Sequence, residues 1–413
     1  MTNAEIFLKE FGLHEECYDF DAHVRGFETE MEAGLAGRKS SLRMLPSYLG
    51  VVPETPPEGE VIAIDAGGTN LRVALVRFTN GSAPCIKRLE KYRIPGSEGA
   101  VTKDEFFARI ADHIGDRTEE SGKLGFVFSF PCKIGADRDG QILLFDKEVR
   151  VLDSTGAYIG GALNAAFARM GKDPLEVTVL NDTAAALIGT ALTHDVHDMG
   201  GYIGLIHGTG TNICYYDPEM KMLINTEAGG YSGFRQSVCD AEIDAESEDP
   251  GDQLFEKMVS GAYFSTVAYK TALLAAREGV LSPETGDALA AKGWLDAVTI
   301  DAFMRGDGNA ETDIGSLCAS EEDAAVLYGI FDGLYERSAK LVAIAITAVL
   351  DRSGATAERR GFIVAEGSSF SKGFRFQERF EHHIMARADG GKPYELVLAD
   401  DHVVIGAAAS VFL

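Results

Sequence analysis

One turn, written twice, constrains this chain more than anything else in it. From Val61 to Val76 the sequence runs Val-Ile-Ala-Ile-Asp-Ala-Gly-Gly-Thr-Asn-Leu-Arg-Val-Ala-Leu-Val. From Ile203 to Tyr216 it runs Ile-Gly-Leu-Ile-His-Gly-Thr-Gly-Thr-Asn-Ile-Cys-Tyr-Tyr. Each copy is a β-branched, apolar run, a Gly/Thr turn closing in Thr-Asn, and a second apolar run, the pattern of a hairpin. Glycine lets the backbone turn sharply and approach a ligand closely. Successive turn N–H groups with threonine hydroxyls form a partly positive nest suited to phosphate oxygens. Gly67, Gly68, Thr69 and Asn70 would line one nest, Gly208, Thr209 and Gly210 the other. Taken singly, either copy also reads as an ordinary tight hairpin. Matched, they predict a duplicated fold gripping a polyphosphate from both sides of a cleft.

A length of 413 residues allows two or three domains, each with its own core. The formal net charge is −26, from 64 acidic and 38 basic residues. That disfavours nucleic acid or an anionic membrane as partner, but leaves open a nucleotide held by local amides, cations and magnesium. Cys17, Cys85, Cys132, Cys214, Cys239 and Cys318 contain no C-x-x-C pair, so free thiols in a reducing cytosol are expected rather than disulfides or zinc. The N-terminus reads as the start of an amphipathic helix, not a signal peptide. The longest strongly apolar run, Leu341 to Leu350, is half the roughly 20 residues a membrane span needs. The expectation is a cytoplasmic protein.

Along the chain, residues 1–45 read as helix with Ile6, Phe7, Leu8 and Phe11 on one face, and 46–59 as an irregular linker. Strands are expected at 61–66, 71–78, 85–93, 124–130 and 176–180, with helices near 102–115 and 157–170. Asn181-Asp-Thr opens an Ala-rich helix to about Leu192. The second block repeats this plan: hairpin strands from Gly201, a strand at 221–226, helices near 254–278 and 321–351, strand 361–365, a helix near 374–386, strand 394–399, and a short helix from about 404. The acidic run Asp240 to Asp252 reads as a solvated loop.

Phosphoryl transfer to an alcohol needs phosphate and metal clamps plus a carboxylate to accept the hydroxyl proton. Asp65, ending its strand beside the first turn, can hold magnesium through water or merely cap the turn. Asp182 stands where a strand runs into a helix, the place at which ligands of open α/β folds bind; it is a candidate base, or an N-cap. Ser129 closes the strand Leu124–Phe130 in Ser-Phe-Pro and can bond a sugar hydroxyl. Glu227 and Glu256 can accept from further hydroxyls, although exposed glutamate is the default for each.

Taken in order, these segments resemble the hexokinase family over nearly the whole chain. Met44-Leu-Pro-Ser-Tyr48 resembles that family's entry segment, and Asp65 to Arg72 and Gly208 to Asn212 its two phosphate loops. Phe128 to Pro131 with Lys147, Ile224 to Glu227 and Leu254 to Lys257 are similar to its sugar segments, and Asn181 to Thr183 to its catalytic loop. The resemblance implies Asp182 as general base and Ser129, Lys147, Asn181, Asn212, Glu227 and Glu256 around a hexose. It implies Thr69, Asn70, Arg72 and Thr209 near the phosphates of ATP, with Mg2+ and with Gly367 and Ser368 towards the adenosine. The implied fold is α/β: two actin-like (ribonuclease H-like) domains, each a mixed sheet with flanking helices, separated by a ligand cleft. The small domain would comprise 59–183 plus 404–413, the large domain 1–58 and 184–403, in a monomer or homodimer. Asp146 stands where the family carries threonine, Ala228 where it carries tryptophan, and Glu366-Gly-Ser368 where it carries Asp-Gly-Ser; Asp401-His-Val-Val404 precedes Gly406 in place of a Ser-Gly element. The implied activity is transfer of the γ-phosphoryl of Mg-ATP to the 6-hydroxyl of glucose or a related hexose. The alternatives are a sugar sensor with weak kinase activity and a kinase for another sugar, such as an N-acetylhexosamine.

Overall fold

The computed structural model describes residues 1–53, 57–68, 70–80, 82–145, 149–387, 391–399 and 402–413; Thr69, Asp146, Lys147 and Asp401 lie outside the described residues. Two sheets with the same connectivity organise the molecule. In the first, Gly59–Gly67 is flanked by antiparallel Asn70–Phe78 and parallel Lys123–Phe128, with Cys85–Arg93 and Glu176–Leu180 outside them. In the second, Gly201–His207 is flanked by antiparallel Thr211–Asp217 and parallel Gly361–Glu366, with Met222–Asn225 and Tyr394–Leu398 outside. The duplication expected from the paired turns is therefore present strand for strand. The second sheet gains one edge strand, Leu45–Pro46, paired with Ile224 and Asn225. Proline is tolerated there because an edge strand need not donate to a further neighbour.

The continuous apolar runs of the central strands follow from burial on both faces. Val61 and Ala63 face a core between the sheets, while Ile62 and Ile64 face the opposite layer, packed on Lys103–Ile114 and Ile159–Arg169. Between the sheets lie two helices, Asp182–Ala191 and Val403–Ala409, in one core with Val76 and Val127 of the first sheet and Phe362 and Val364 of the second. Glycine permits their crossing: an added Cβ would sit 1.8 Å from Ala185 O at Gly406 and 2.1 Å from His402 O at Gly189. The outer face of the second sheet carries the long helix Glu321–Arg352 with the N-terminal helices.

Several expectations are corrected. Residues 1–45 are not one helix but Asn3–Glu10, a turn at Glu15–Cys17, and Phe20–Leu35; Gly12, at φ +72°, ends the first. Ile6 is half exposed while Phe7 and Leu8 are buried. The strand expected to reach Phe130 stops at Phe128. The helix expected over 254–278 is broken at Ser260, whose ψ of 159° is extended. The acidic run is an exposed loop only beyond Glu246, over residues 248–252. Its first part is the helix Val238–Glu246, and Asp240, fully buried, receives Arg337 Nη1 and Nη2 at 2.8 and 3.1 Å. Lys257, also fully buried, donates to Asp244 Oδ1 at 2.8 Å and Asp249 O at 2.8 Å. Arg337 is 97 residues from the carboxylate it neutralises, so a local charge count misses that pair.

Candidate active site

The described site residues stand mostly at the two glycine turns and just beyond the carboxyl ends of Lys123–Phe128 and Glu176–Leu180. At the first turn Gly68 is left-handed, at φ +54°, which glycine adopts without strain. Asp65 and Arg72 are cross-strand partners, and Arg72 Nε donates to Asp65 Oδ2 at 2.6 Å. A Cβ on Gly67 would lie 3.0 Å from Ser129 Oγ and 3.6 Å from Asp65 Oδ1, so the missing side chain is what brings these three residues together. Ser129 N donates to Ala66 O at 3.1 Å, carrying the chain out of the sheet beside the turn. Asn70 is exposed at the rim.

Asn181, not Asp182, is the N-cap of Asp182–Ala191, its Oδ1 accepting from Thr183 N at 2.9 Å. Asp182 is the first helical residue. Its Oδ1 accepts from Thr183 N at 2.7 Å and Thr183 Oγ1 at 3.2 Å, and no donor to its Oδ2 is found among the described residues. The cap role is thus filled by a neighbour, and Asp182 is held at the mouth of the sheet by one oxygen.

From Asn181 a polar chain runs to the second sheet. Asn212 Nδ2 donates to Asn181 Oδ1 at 3.4 Å and to Asn225 Oδ1 at 2.8 Å; Asn225 Nδ2 donates to Glu227 Oε1 at 2.5 Å. Asn212 Oδ1 accepts from Ile213 N and Ala228 N, which fixes which end of the amide donates. Asn225, absent from the expected site residues, is central to this chain. Its signal was its place in the Asn-Thr-Glu segment. Leu45, Pro46, Phe130, Cys132 and Ala184 complete the wall of the cleft around Asn181, Asn225 and Glu227. Burial, with Glu227 and Asp139 nearby, pushes the Cys132 thiol up to about 12, and burial also pushes Cys214 up to about 12. Both stay protonated near neutrality, so the site has no thiolate nucleophile here.

At the second turn Gly208 N donates to Gly210 O at 3.0 Å and Thr211 N to Glu256 Oε2 at 2.8 Å. The amides of Thr209 and Gly210 have no acceptor among the described residues. Glu256 sits against this turn, and a Cβ on Gly210 would meet its Oε2 at 2.6 Å. The break at Ser260 acquires its reason here: Gly261 N donates to Gly208 O at 2.7 Å and Ala262 N to Thr209 O at 3.1 Å. Gly367, at φ +121°, packs so tightly under the turn that a Cβ would lie 2.3 Å from His207 O. Ser369 Oγ donates to Gly208 O at 3.0 Å, with Ser368 exposed beside it. The elements expected to contact phosphate and adenosine therefore meet. Phe145, packed on Phe106, Phe128 and Phe130, anchors the chain just before Lys147.

Two family models, both described as hexokinase, match residues 4–192 and 202–413. Human hexokinase-3 is 31% identical over 369 residues, covering 82% of this chain and 39% of that protein. Rat hexokinase-1 (Rattus norvegicus) is 29% identical over 421 residues, covering 92% of this chain and 45% of its own length. The chain thus spans less than half the length of these curated relatives. Among solved structures, Schistosoma mansoni hexokinase complexed with glucose superposes with a TM-score of 0.82 at 24% identity, covering 99% of this chain and 98% of that one. A glucokinase of the ROK family from Streptomyces griseus superposes with a TM-score of 0.51 at 15% identity, covering 85% of this chain and 98% of that one.

Proposed function

The chain belongs to the hexokinase family and has its two-lobed, actin-like α/β fold, and from that premise we propose that it is an ATP-dependent hexose kinase. The reaction is transfer of the γ-phosphoryl of ATP to the 6-hydroxyl of glucose or a close relative. The observation that carries this reading is the hydrogen-bonded chain that starts at Asn181, next to Asp182, and runs through Asn212 and Asn225 to Glu227. It offers a hexose amide donors and carboxylate acceptors at the junction of the two sheets. Ser129, Lys147 and Glu256 complete the sugar's surroundings in this reading.

Asp182 accepts the hydroxyl proton as the new P–O bond forms, through the oxygen that Thr183 does not engage. The amides of Thr209 and Gly210, with Thr69 and Asn70 opposite, hold the phosphate oxygens; Arg72 works through Asp65. Gly367 and Ser368 lie on the adenosine side. Asp65 suits magnesium, a cation that keeps several waters and takes its remaining ligands from phosphate: Arg72 occupies Oδ2, and Oδ1 lies beside the side-chain-free Gly67. Bound there, the ion would neutralise charge on the phosphates. The two lobes, 59–183 with 404–413 and the remainder, close over the sugar. All six cysteines are free, which suits the cytosol.

The test is a coupled ADP-release assay over a panel of hexoses and nucleotides, with Asp182→Asn beside the wild type. A positioned base contributes about 10²–10⁴-fold, so turnover falls by at least about a hundredfold while hexose affinity holds. Turnover within about tenfold of wild type refutes the base assignment. Hexose binding without turnover in the wild type points instead to a sensor.

A further inference from the structure

The second glycine turn is closed by a pair of buried side chains, His207 just before the Gly208–Asn212 loop and Thr211 within it, whose contact with each other the site description leaves unused. His207 and Thr211 are the last ladder pair of the hairpin, one on each side of Gly208-Thr209-Gly210. His207 Nδ1 and Thr211 Oγ1 are 2.9 Å apart, in residues 1% and 2% exposed. The His207 ring stacks on Phe376 of the helix Phe376–Met385, with centroids 4.6 Å apart and planes at 26°. Burial pushes the imidazole down to about 3, so the ring is neutral at working pH and hydrogen-bonds without charge.

We propose that His207 and Thr211 are positioning residues for the nucleotide, a side-chain latch that holds the Gly208–Gly210 turn in its phosphate-binding shape and ties it to the Phe376–Met385 helix. The inference rests on the proposed function, in which that turn meets the phosphates. Two glycines in three residues leave such a turn free to sample many backbone states, and ordering it would otherwise be charged to nucleotide binding. The latch orders it beforehand. Gly208 N–Gly210 O and Thr211 N–Glu256 Oε2 restrain the backbone at the same two ends, so all three bonds restrict the segment that carries the Thr209 and Gly210 amides. Thr211 joins this turn to Glu256 as well, through its backbone, so the turn and a sugar-side carboxylate share one anchor.

Thr211→Val keeps the shape but removes the hydroxyl and strands a buried ring nitrogen; Thr211→Ser keeps the hydroxyl. His207→Phe keeps a ring on Phe376 but loses the nitrogen, and serves if the valine variant is poorly folded. The expected result is a rise in nucleotide KM of about tenfold for Thr211→Val and for His207→Phe, the loss of one hydrogen bond. kcat and hexose KM should stay within about twofold, and Thr211→Ser should match wild type. The double variant should be no worse than either single one, since both remove the same bond. In the nucleotide-free protein, hydrogen exchange of the turn amides should accelerate in both variants. Wild-type nucleotide KM and wild-type exchange in a folded Thr211→Val overturn the latch, as does a fall in kcat with KM unchanged. If the wild type binds ATP but transfers nothing, the ATP Kd is compared in place of KM. If it binds no ATP, the proposed function and the latch's role in it fall together. That outcome differs from failure of the latch alone, in which wild-type activity is intact.

Discussion

The buried pair Asp240–Arg337 should dominate the stability of the lobe that carries Glu256. Arg337 is 1% exposed and Asp240 fully buried, and the carboxylate accepts both guanidinium bonds plus Ser237 Oγ at 2.6 Å and Ser237 N at 2.8 Å. Asp240→Leu leaves the guanidinium with only the Tyr18 hydroxyl and a long bond to Met258 O at 3.4 Å, and also removes the third-position carboxylate of a capping box. Stranding one charge of a buried pair costs about 3–5 kcal/mol, whereas replacing both partners by apolar residues is often neutral. Asp240→Leu and Arg337→Met should therefore each destabilise by about 3–5 kcal/mol, and the double variant by much less than their sum. With total stability of about 5–15 kcal/mol, either single variant should also accumulate poorly in cells. Urea unfolding followed by circular dichroism reads the cycle. Single variants costing under about 1 kcal/mol, or additive losses in the double, would refute the argument that the pair is desolvated and mutually dependent.

An acid limb in stability is expected from Glu336. Burial raises its carboxyl, but the His383 hydrogen bond and Arg379 outweigh burial and hold it at about 2, against 4.5 unfolded. A depressed folded value stabilises above the unfolded one, so about 3 kcal/mol should be lost as pH falls from about 5 to 2, and Glu336→Gln should flatten that limb in pH-dependent urea unfolding. Gly406→Ala places a Cβ 1.8 Å from Ala185 O, a backbone atom that no side-chain rotation relieves, and should destabilise by about 1–3 kcal/mol or more in the same assay. Gly210→Ala displaces Glu256 from Thr211 N and should raise both nucleotide and hexose KM, where a variant of the turn alone would raise only the first.

Much of the fold was legible because burial on both faces writes itself as unbroken apolar runs. Glu176–Leu180 was read to the residue, and the first hairpin within three residues at each end. The breaks were harder. Gly12 ends a helix through its own φ, but Ser260 breaks one because Gly208 O and Thr209 O, some fifty residues away in sequence, accept from the amides that follow it. Asp182 reads in sequence as a base or a cap, and only the geometry assigns the cap bond to Asn181 instead. Asn225 is legible only as a member of the Asn-Thr-Glu segment; that its amide bridges Asn212 and Glu227 follows from the neighbouring strand and the left-handed turn that carry them.

The sequence by itself determined the duplication. Two matched glycine turns, each between β-branched, apolar runs and closing in Thr-Asn, point to two hairpins, and the strand order that follows each copy is the same. It also determined which residue types stand at the strand ends, since those positions are set by chain order alone. Tertiary structure decided what the charges do. Asp240 looks solvated in a window of neighbours, yet it is buried because Arg337, 97 residues on, neutralises it across the fold. It likewise decided the meeting of the two sheets, where Asn181 and Asn212 join through one hydrogen bond. Ionic and hydrogen-bond energies depend on distance and desolvation, and neither exists until the chain has packed.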